Sequence, residues 1–446
     1  MTDAATPPYV RTRLSAMMFL QYAIWGAWLP ILYPFLLNHR EFEPSEVGAI
    51  LAGGAAGAIV GPFIAGQIAD RFFATERFLA ISHLLGAALV WTLAEQASYV
   101  PFLVISVFYG IVYAPTLALT NSISFHHLPD RDRDFGKVRL WGTLGWIAAG
   151  IMMGQWLLTQ HTPAGADSAA LQAAQDAGRA DAFRLSAVLG IAMGIYCLTL
   201  PHTPPSRDAD SNASLKALGE IRRQPLLTLF IIAVPVSIIH QFYFVHASQC
   251  LTVVQNEAGG DGIASAINAV FGVGGGGLMT IGQMTEILVI GLMPLVAKRV
   301  GRKWLLAAGL TAYALRMALF AYLPIDTPAG LAMAIAGVAL HGLCFGCFIF
   351  VAFMIVDEQT TPDVRASAQS LFNLVIVGIG IIVGSMFATK VAELNTFIDT
   401  EGNQQMDYTG LFSVPMYMAI ACLAILLVAY PSDAKKVEPV VTGEPA

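Results

Sequence analysis

Charge is scarce in this chain. Asp, Glu, Lys and Arg make up 12% of its 446 residues, against 56% hydrophobic residues. A soluble domain draws about a quarter of its residues from the charged set, so this composition excludes water as the main solvent, and a mean hydropathy of +0.65 puts lipid in its place. The five cysteines (Cys197, Cys250, Cys344, Cys347, Cys422) are scattered through apolar runs without the spacing of a disulfide framework, which leaves reduced, buried thiols. Cys344 and Cys347 form a Cys-x-x-Cys that lacks a second pair of ligands, so helix packing accounts for it better than zinc. The glycine run Gly272-Val-Gly274-Gly-Gly-Gly277 is followed by Leu278 and Met279 and not by lysine, which removes a phosphate-cradling loop and with it an ATP-driven pump. His126 and His127 stand beside a loop without obvious carboxylate ligands. With no nucleophile and base or metal cluster, an enzyme is not expected, nor a cofactor or metal. No soluble signalling domain is present to make the chain a sensor, and no nucleic acid is expected as a partner.

What is present is a series of apolar runs about twenty residues long, the length that crosses a bilayer as a helix. They fall near 14–37, 46–69, 78–97, 101–125, 139–160 and 183–201, and again near 226–251, 269–297, 304–324, 329–356, 366–392 and 410–430. The run near 269–297 is long enough to imply tilt or a break in its Gly-rich start. The first run follows Arg11 and Arg13 and continues past twenty residues without a small-residue cleavage site, so it reads as a first span and not a removable signal. Between the two sets lies a charged segment with Arg207, Asp208, Asp210, Lys216, Glu220, Arg222 and Arg223. The expectation is an all-α membrane protein of twelve transmembrane helices in two six-helix bundles. Residues 1–200 form the first bundle, 201–225 a cytoplasmic connector, 226–431 the second bundle and 432–446 a cytoplasmic tail.

Orientation follows from the basic residues. With both termini in the cytoplasm, eighteen of the twenty-four Lys and Arg lie inside, among them Arg11, Arg13, Arg71, Arg77, Arg131, Arg133, Lys137, Lys298, Arg299, Arg302, Lys303, Arg365, Lys435 and Lys436. Four lie outside (Arg40, Arg179, Arg184, Lys390), in loops that also carry acids such as Glu41, Glu95, Asp167, Asp176, Glu257, Asp261, Asp399, Glu401 and Asp407. A bacterial-type inner membrane and a monomer complete this expectation.

Among the charges inside the apolar runs, Glu286 and Arg139 frame the reading. Glu286 lies alone in the stretch 279–296, and Arg139 opens the run Leu140-Trp-Gly-Thr143-Leu-Gly-Trp146. An intramembrane acid costs several kcal/mol and is read as part of a substrate or ion pathway with a partner, and Arg139 is the candidate of opposite sign. Helical spacing then groups polar and aromatic residues onto single faces: Arg139, Thr143 and Trp146; Gln283 and Glu286; Gln21, Trp25 and Trp28; Gln241, Phe244 and Ser248; His341, Phe345 and Phe348. Aromatic plates, amides and charge suit a flat base with a hydroxylated sugar. Each face also has a plain packing reading, favoured for Trp25, Trp28 and Phe348. Asn121 and Asn373 are open between the two roles, and Arg316 is expected to meet a carbonyl or a lipid headgroup.

Paired basic hairpins recur after the second span of each half, Gly66-Gln-Ile-Ala-Asp70-Arg71 and Lys298-Arg299-Val-Gly301-Arg302-Lys303. The first resembles the signature loop of the major facilitator superfamily. Further clusters, Gln21-Tyr-Ala-Ile-Trp25-Gly26, Tyr113-Ala-Pro115-Thr116, Arg139-Leu-Trp141-Gly142-Thr143, Leu315-Arg316 and Arg365-Ala-Ser-Ala-Gln369, resemble the nucleoside:proton symporters of that superfamily. The resemblance implies the major facilitator fold and proton-coupled nucleoside uptake, with pocket positions at Arg139, Thr143, Trp146, Gln241, Gln283, Glu286 and Phe345. Three departures stand out. His341 replaces an expected tyrosine, Phe244 an asparagine, and Gly346 the aspartate that follows the phenylalanine. With that aspartate gone, Glu286 is left as the proton-coupling candidate, sharing its proton with His341 or His246. A carrier for another polar solute, such as a sugar derivative or peptidoglycan fragment, is the alternative.

Overall fold

The computed structural model describes residues 9–64, 74–204, 219–258, 262–325, 327–361, 364–398 and 404–431. The Gly66-Asp70-Arg71 loop, most of the charged segment (205–218), the tail from 432 on, and Asp261, Asp399 and Glu401 lie outside the described residues.

Apolar runs that must satisfy every backbone N–H and C=O without water become helices. In chain order these are α1 (Val10–His39), α2 (Pro44–Ile64), α3 (Thr75–Glu95), α4 (Tyr99–His127), α5 (Arg131–Gln160), α6 (Ser168–Gly178), α7 (Ala180–Cys197), α8 (Leu226–Glu257), α9 (Gly262–Phe271), α10 (Gly276–Val296), α11 (Arg302–Ala321), α12 (Pro328–Glu358), α13 (Ser367–Leu394) and α14 (Tyr408–Ala429). Ten stretches, counting α6 with α7 as one, are long and apolar enough to cross a membrane, and α2 and α5 are comparable in length. Several helices start on a side-chain cap that binds an otherwise orphaned N–H. Asp130 accepts from Arg133 N before α5, Asp167 from Ala170 N before α6, and Asp407 from Thr409 N before α14.

The long run at 269–297 breaks in its Gly-rich start, one of the two outcomes its length implied, since α9 ends at Phe271 and α10 starts at Gly276. Gly272, Gly274 and Gly275 turn between them at φ of +72°, +81° and +78°, values that side chains with a Cβ rarely adopt. One expectation needs correction, for the chain is not wholly helical. Thr396–Ile398 and Gln404–Met406 pair as a small antiparallel ribbon, with Phe397 opposite Gln405.

The buried apolar residues fall into two main clusters. One draws on residues between Val10 and Leu200, joined by Val245 and Val273, and the other on residues between Leu226 and Tyr430. Many large apolar side chains face outward, as lipid requires, among them Leu85, Ile195, Leu288 and Val428. Since lipid is as apolar as leucine, burial alone does not drive the helices together, and close approach over small residues takes its place. Gly145 of α5 lies against the backbone of Phe19 in α1, and Gly154 of α5 against Phe271. Gly342 of α12 lies on Thr285 of α10 in the same manner.

Polar contacts between the two halves gather at one end of the molecule. There Asn38 donates to Gln249 Oε1 (2.9 Å), Gln155 to the Ala269 carbonyl (3.0 Å), and Val273 N to the Gly154 carbonyl (3.1 Å). The segment after Gln160, expected as a short excursion, folds into α6 and joins this group. Gln175 donates to Asn256 Oδ1 (3.4 Å), and the fully buried Arg179 pairs with Asp176 and donates to Thr252 Oγ1 (2.9 Å) and the Gly274 carbonyl (3.2 Å). All five cysteines are free and buried.

Candidate functional site

Arg139 and Glu286 stand on helices that meet across the seam, α5 and α10. Gly150 lets them close, since a Cβ there would come within 2.7 Å of Thr280 Cγ2. Arg139 does not form the expected ion pair with Glu286. Its guanidinium lies over the Tyr22 ring, 4.0 Å from the centroid. A cation–π contact of this kind stabilises a partly desolvated guanidinium by about 0.5–2 kcal/mol. The reason is local. Gly142 leaves the ring room beside α5, a Cβ there falling 2.6 Å from Tyr22 Cδ2 and 2.9 Å from the Arg139 guanidinium.

Glu286 instead meets His341, with 3.5 Å between Oε2 and Nε2. The contact exists because α10 and α12 approach very closely. A Cβ on Gly282 would lie 2.9 Å from His341 Cβ, and Thr285 Oγ1 donates to the Ala339 carbonyl (2.8 Å) while accepting from Gly342 N (3.2 Å). The Glu286 side chain keeps 17% of its exposure and that of His341 only 2%.

Behind His341 lies Arg316, buried completely, which removes the headgroup from the two partners, a carbonyl or a lipid headgroup, that its sequence suggested. Its guanidinium sits over the Tyr243 ring, 3.2 Å from the centroid, and Nη1 reaches His341 Nδ1 at 3.3 Å. The Tyr243 and His341 rings stack at 5.4 Å. His240 Nδ1 meets the Tyr313 hydroxyl at 2.7 Å, and its ring lies 5.4 Å from that of His341. Phe244 and Phe345 border the same ring at 5.9 and 6.2 Å. Arg316, His240, Tyr243 and Tyr313 are members of this cluster that the residue faces did not single out. A guanidinium at mid-helix in α11 was the available signal.

The remaining expected positions divide. Gln283 is buried one helical turn from Glu286, and its Oε1 has no partner among the described residues. Gln241 is buried and donates to Ser385 Oγ at 2.9 Å. Thr143 and Trp146 are half-buried on the Arg139 face, with the Trp146 backbone against Gly26. Gln21 donates to Thr116 Oγ1 (2.8 Å), while Trp25 packs on Tyr113 and Trp28 on Tyr109 and Phe183, so this stripe serves the core of the first half. Ser248 donates to the Gly274 carbonyl (3.3 Å). His246 meets the Ala388 carbonyl (3.1 Å) and is engaged there and not at Glu286. Phe348 is fully buried, and Asn373 is exposed. Asn121 is half-buried, and its Oδ1 has no partner.

The departure at Gly346 has a packing counterpart. A Cβ there would lie 2.6 Å from Val289 Cγ1 on α10, so the space an aspartate needs is occupied. A void of about 10 Å³ between Gly26, Pro30, Gly150, Gly154 and Gly276 is a packing remnant near the closed end, far below the few hundred Å³ that a small-molecule site takes.

The sequence model of the family described as Nucleoside H+ symporter matches residues 9–435. A putative nucleoside transporter, YegT of Escherichia coli K12, is 30% identical over 94% of this chain and 93% of its own length. The nucleoside permease NupG of the same organism is 26% identical over 87% of this chain and 89% of its own. A crystal structure of NupG superposes with a TM-score of 0.77 at 24% identity, covering 95% of this chain and all of that one, which establishes the major facilitator fold. With the family matched along almost its whole length, the chain belongs to the nucleoside H+ symporter family and is a transporter, not an enzyme.

Proposed function

We propose that this chain imports nucleosides across the inner membrane together with protons, by rocking of two six-helix bundles about a midplane site. The observation that carries the reading is Glu286, a carboxylate on α10 that stays partly exposed within a span and faces His341, on a helix packed against the α5 that bears Arg139. Relatives named nucleoside transporter, nucleoside permease and xanthosine permease give the substrate class. In this reading α2 and α5 cross the membrane with the ten other spans. The bundles comprise residues 1–200 and 226–431, joined by a cytoplasmic connector at 201–225 and followed by a cytoplasmic tail at 432–446. The chain is a monomer in lipid with both termini in the cytoplasm.

In that orientation the contacts of Asn38, Gln155, Arg179 and Gln249 close the outer end, and substrate meets Glu286 from the cytoplasmic side. Arg139, Thr143 and Trp146 offer charge, hydroxyl and ring from one bundle. Gln241, Gln283, Glu286, His341 and Phe345 form the wall of the other. Proton entry from outside neutralises Glu286, weakens its attraction to Arg139 and permits the bundles to rock.

Uptake of radiolabelled nucleoside into vesicles, with and without an imposed pH gradient, tests this directly. Accumulation above the external concentration is expected only with acid outside. The Glu286→Gln variant should exchange bound nucleoside yet equilibrate without concentrating it, and full accumulation by that variant would refute the assignment. Competition by nucleosides, free bases and sugars separates the reading from a carrier of another polar solute.

A further inference from the structure

An arginine guanidinium has donors and no acceptor, and it does not lose its proton in a protein. Whatever faces it must therefore accept. Arg316 Nη1 lies 3.3 Å from His341 Nδ1, so Nδ1 is the bare nitrogen of a neutral imidazole and the ring proton resides on Nε2. Nε2 is the atom that faces Glu286 Oε2. The three groups thus form a series in which a permanent cation holds a neutral donor against a carboxylate. Burial of Arg316, its seat over the Tyr243 ring and the stacking of Tyr243 on His341 fix each member from behind.

We propose that Arg316 is a positioning residue that locks His341 as the neutral Nε2–H tautomer, so that Glu286 alone carries the coupled proton. The proposal rests on the proton-symport reading above and deepens it. The groups facing His341 are Glu286 from α10, Arg316 from α11, and His240 and Tyr243 from α8, with Tyr313 of α11 behind His240 and Cys344 of α12 beside Arg316; Arg139 stands on α5 across the seam from α10. Of the groups on α8, α10 and α11, Glu286 and His240 keep some exposure; His240 Nδ1 is engaged by the Tyr313 hydroxyl, and Glu286 is the acid through which a proton arrives. The proton comes from water on the outer side and forms an O–H bond at a Glu286 carboxyl oxygen. It leaves to water on the inner side when that bond breaks. His341 donates from Nε2 throughout and gains no proton, because Nδ1 is occupied.

A glutamine amide reproduces a locked imidazole, since its N–H donates and its oxygen accepts, whereas a proton carrier cannot be replaced by an amide. The expected result is that His341→Met, which also alters the substrate wall, slows nucleoside exchange and loses pH-driven accumulation altogether, and that His341→Gln restores accumulation to within several-fold of the unmodified protein. Removing the lock by Arg316→Met takes away the guanidinium and leaves Nδ1 open to a proton. A cation forming beside Glu286 then opposes protonation of the carboxyl, so the pH profile of uptake moves to more acidic values by roughly one unit. The double variant Arg316→Met/His341→Gln should bring it back. Loss of accumulation in His341→Gln with exchange intact, or an Arg316→Met profile that superimposes on the original, overturns the proposal.

Nitrogen NMR of the full-length protein labelled at histidine reads the lock without substrate. The ring resonance that disappears in His341→Gln is expected to stay a neutral Nε2–H form through acid titration, and a titrating ring overturns the lock. Absence of nucleoside exchange by the unmodified protein speaks against the transport reading, and the NMR result then decides the lock independently.

Discussion

At the scale of single residues, the site turns on which group stands next to which, and Gly346 shows how tightly that is set. Placing an aspartate there puts a side chain where Val289 already packs, 2.6 Å from the position of a Cβ. Overpacking of this kind costs about 1–3 kcal/mol, and the carboxylate adds the desolvation of an unpaired charge. Gly346→Asp is therefore expected to lower the melting temperature of the purified protein and to reduce uptake. A stable variant with improved coupling would show that α12 yields more readily than its packing against α10 implies. Much of this scale was legible in the sequence: the isolated acid at Glu286, the Arg139 face and the altered positions His341, Phe244 and Gly346 all stand out in a row of apolar letters. The pairing was not. Opposite charge alone selects Arg139 as the partner of Glu286, whereas the approach of Gly282 and Gly342 brings His341 to the carboxylate, and Gly142 lets Tyr22 take Arg139. Interhelical distance at a glycine is a property of two sequences segments folded together, and neither segment displays it alone.

At the scale of elements, α6 and the turn at Gly272–Gly275 work as a unit. Arg179 reaches from the start of α7 to Thr252 on α8 and to the Gly274 carbonyl, and the backbone there is held by glycines at positive φ. Removing one partner of a buried charged contact costs about 3–5 kcal/mol, and here the loss falls on the closed arrangement of this end. Arg179→Met should raise the rate at which a thiol placed at Ile31, 2% exposed at the seam, reacts with an external membrane-impermeant reagent. An unchanged rate, measured against the same thiol with Arg179 intact, would leave the closure to the amide contacts alone. The sequence showed the segment between Gln160 and Phe183 only as a polar excursion, because the signals of α6, an Asp167 cap and a run of alanines, say that a helix forms and not where it docks.

For the whole molecule, hydropathy and the two sets of spans carried the architecture, since in lipid the helix is the default for any apolar run of sufficient length. The two buried clusters, one per half, follow from the same pattern. What hydropathy leaves blank is which end of the seam is shut, a matter of a few amides and one guanidinium. If rocking carries substrate, holding that end together must arrest the cycle. Thiols introduced at Asn38 and Gln249, whose amides meet at 2.9 Å, lie within reach of a short bifunctional reagent. Bridging them should abolish uptake while leaving nucleoside bound from the opposite side, and continued uptake by the bridged protein would exclude rigid-body rocking. Across the seam, Arg179 grips a hydroxyl and a carbonyl, and its companions are amides throughout. Dissolved ions screen charge attracting charge and have little hold on contacts of this kind, so if the bundles rock, this end is expected to open at much the same rate in fresh water and in brine.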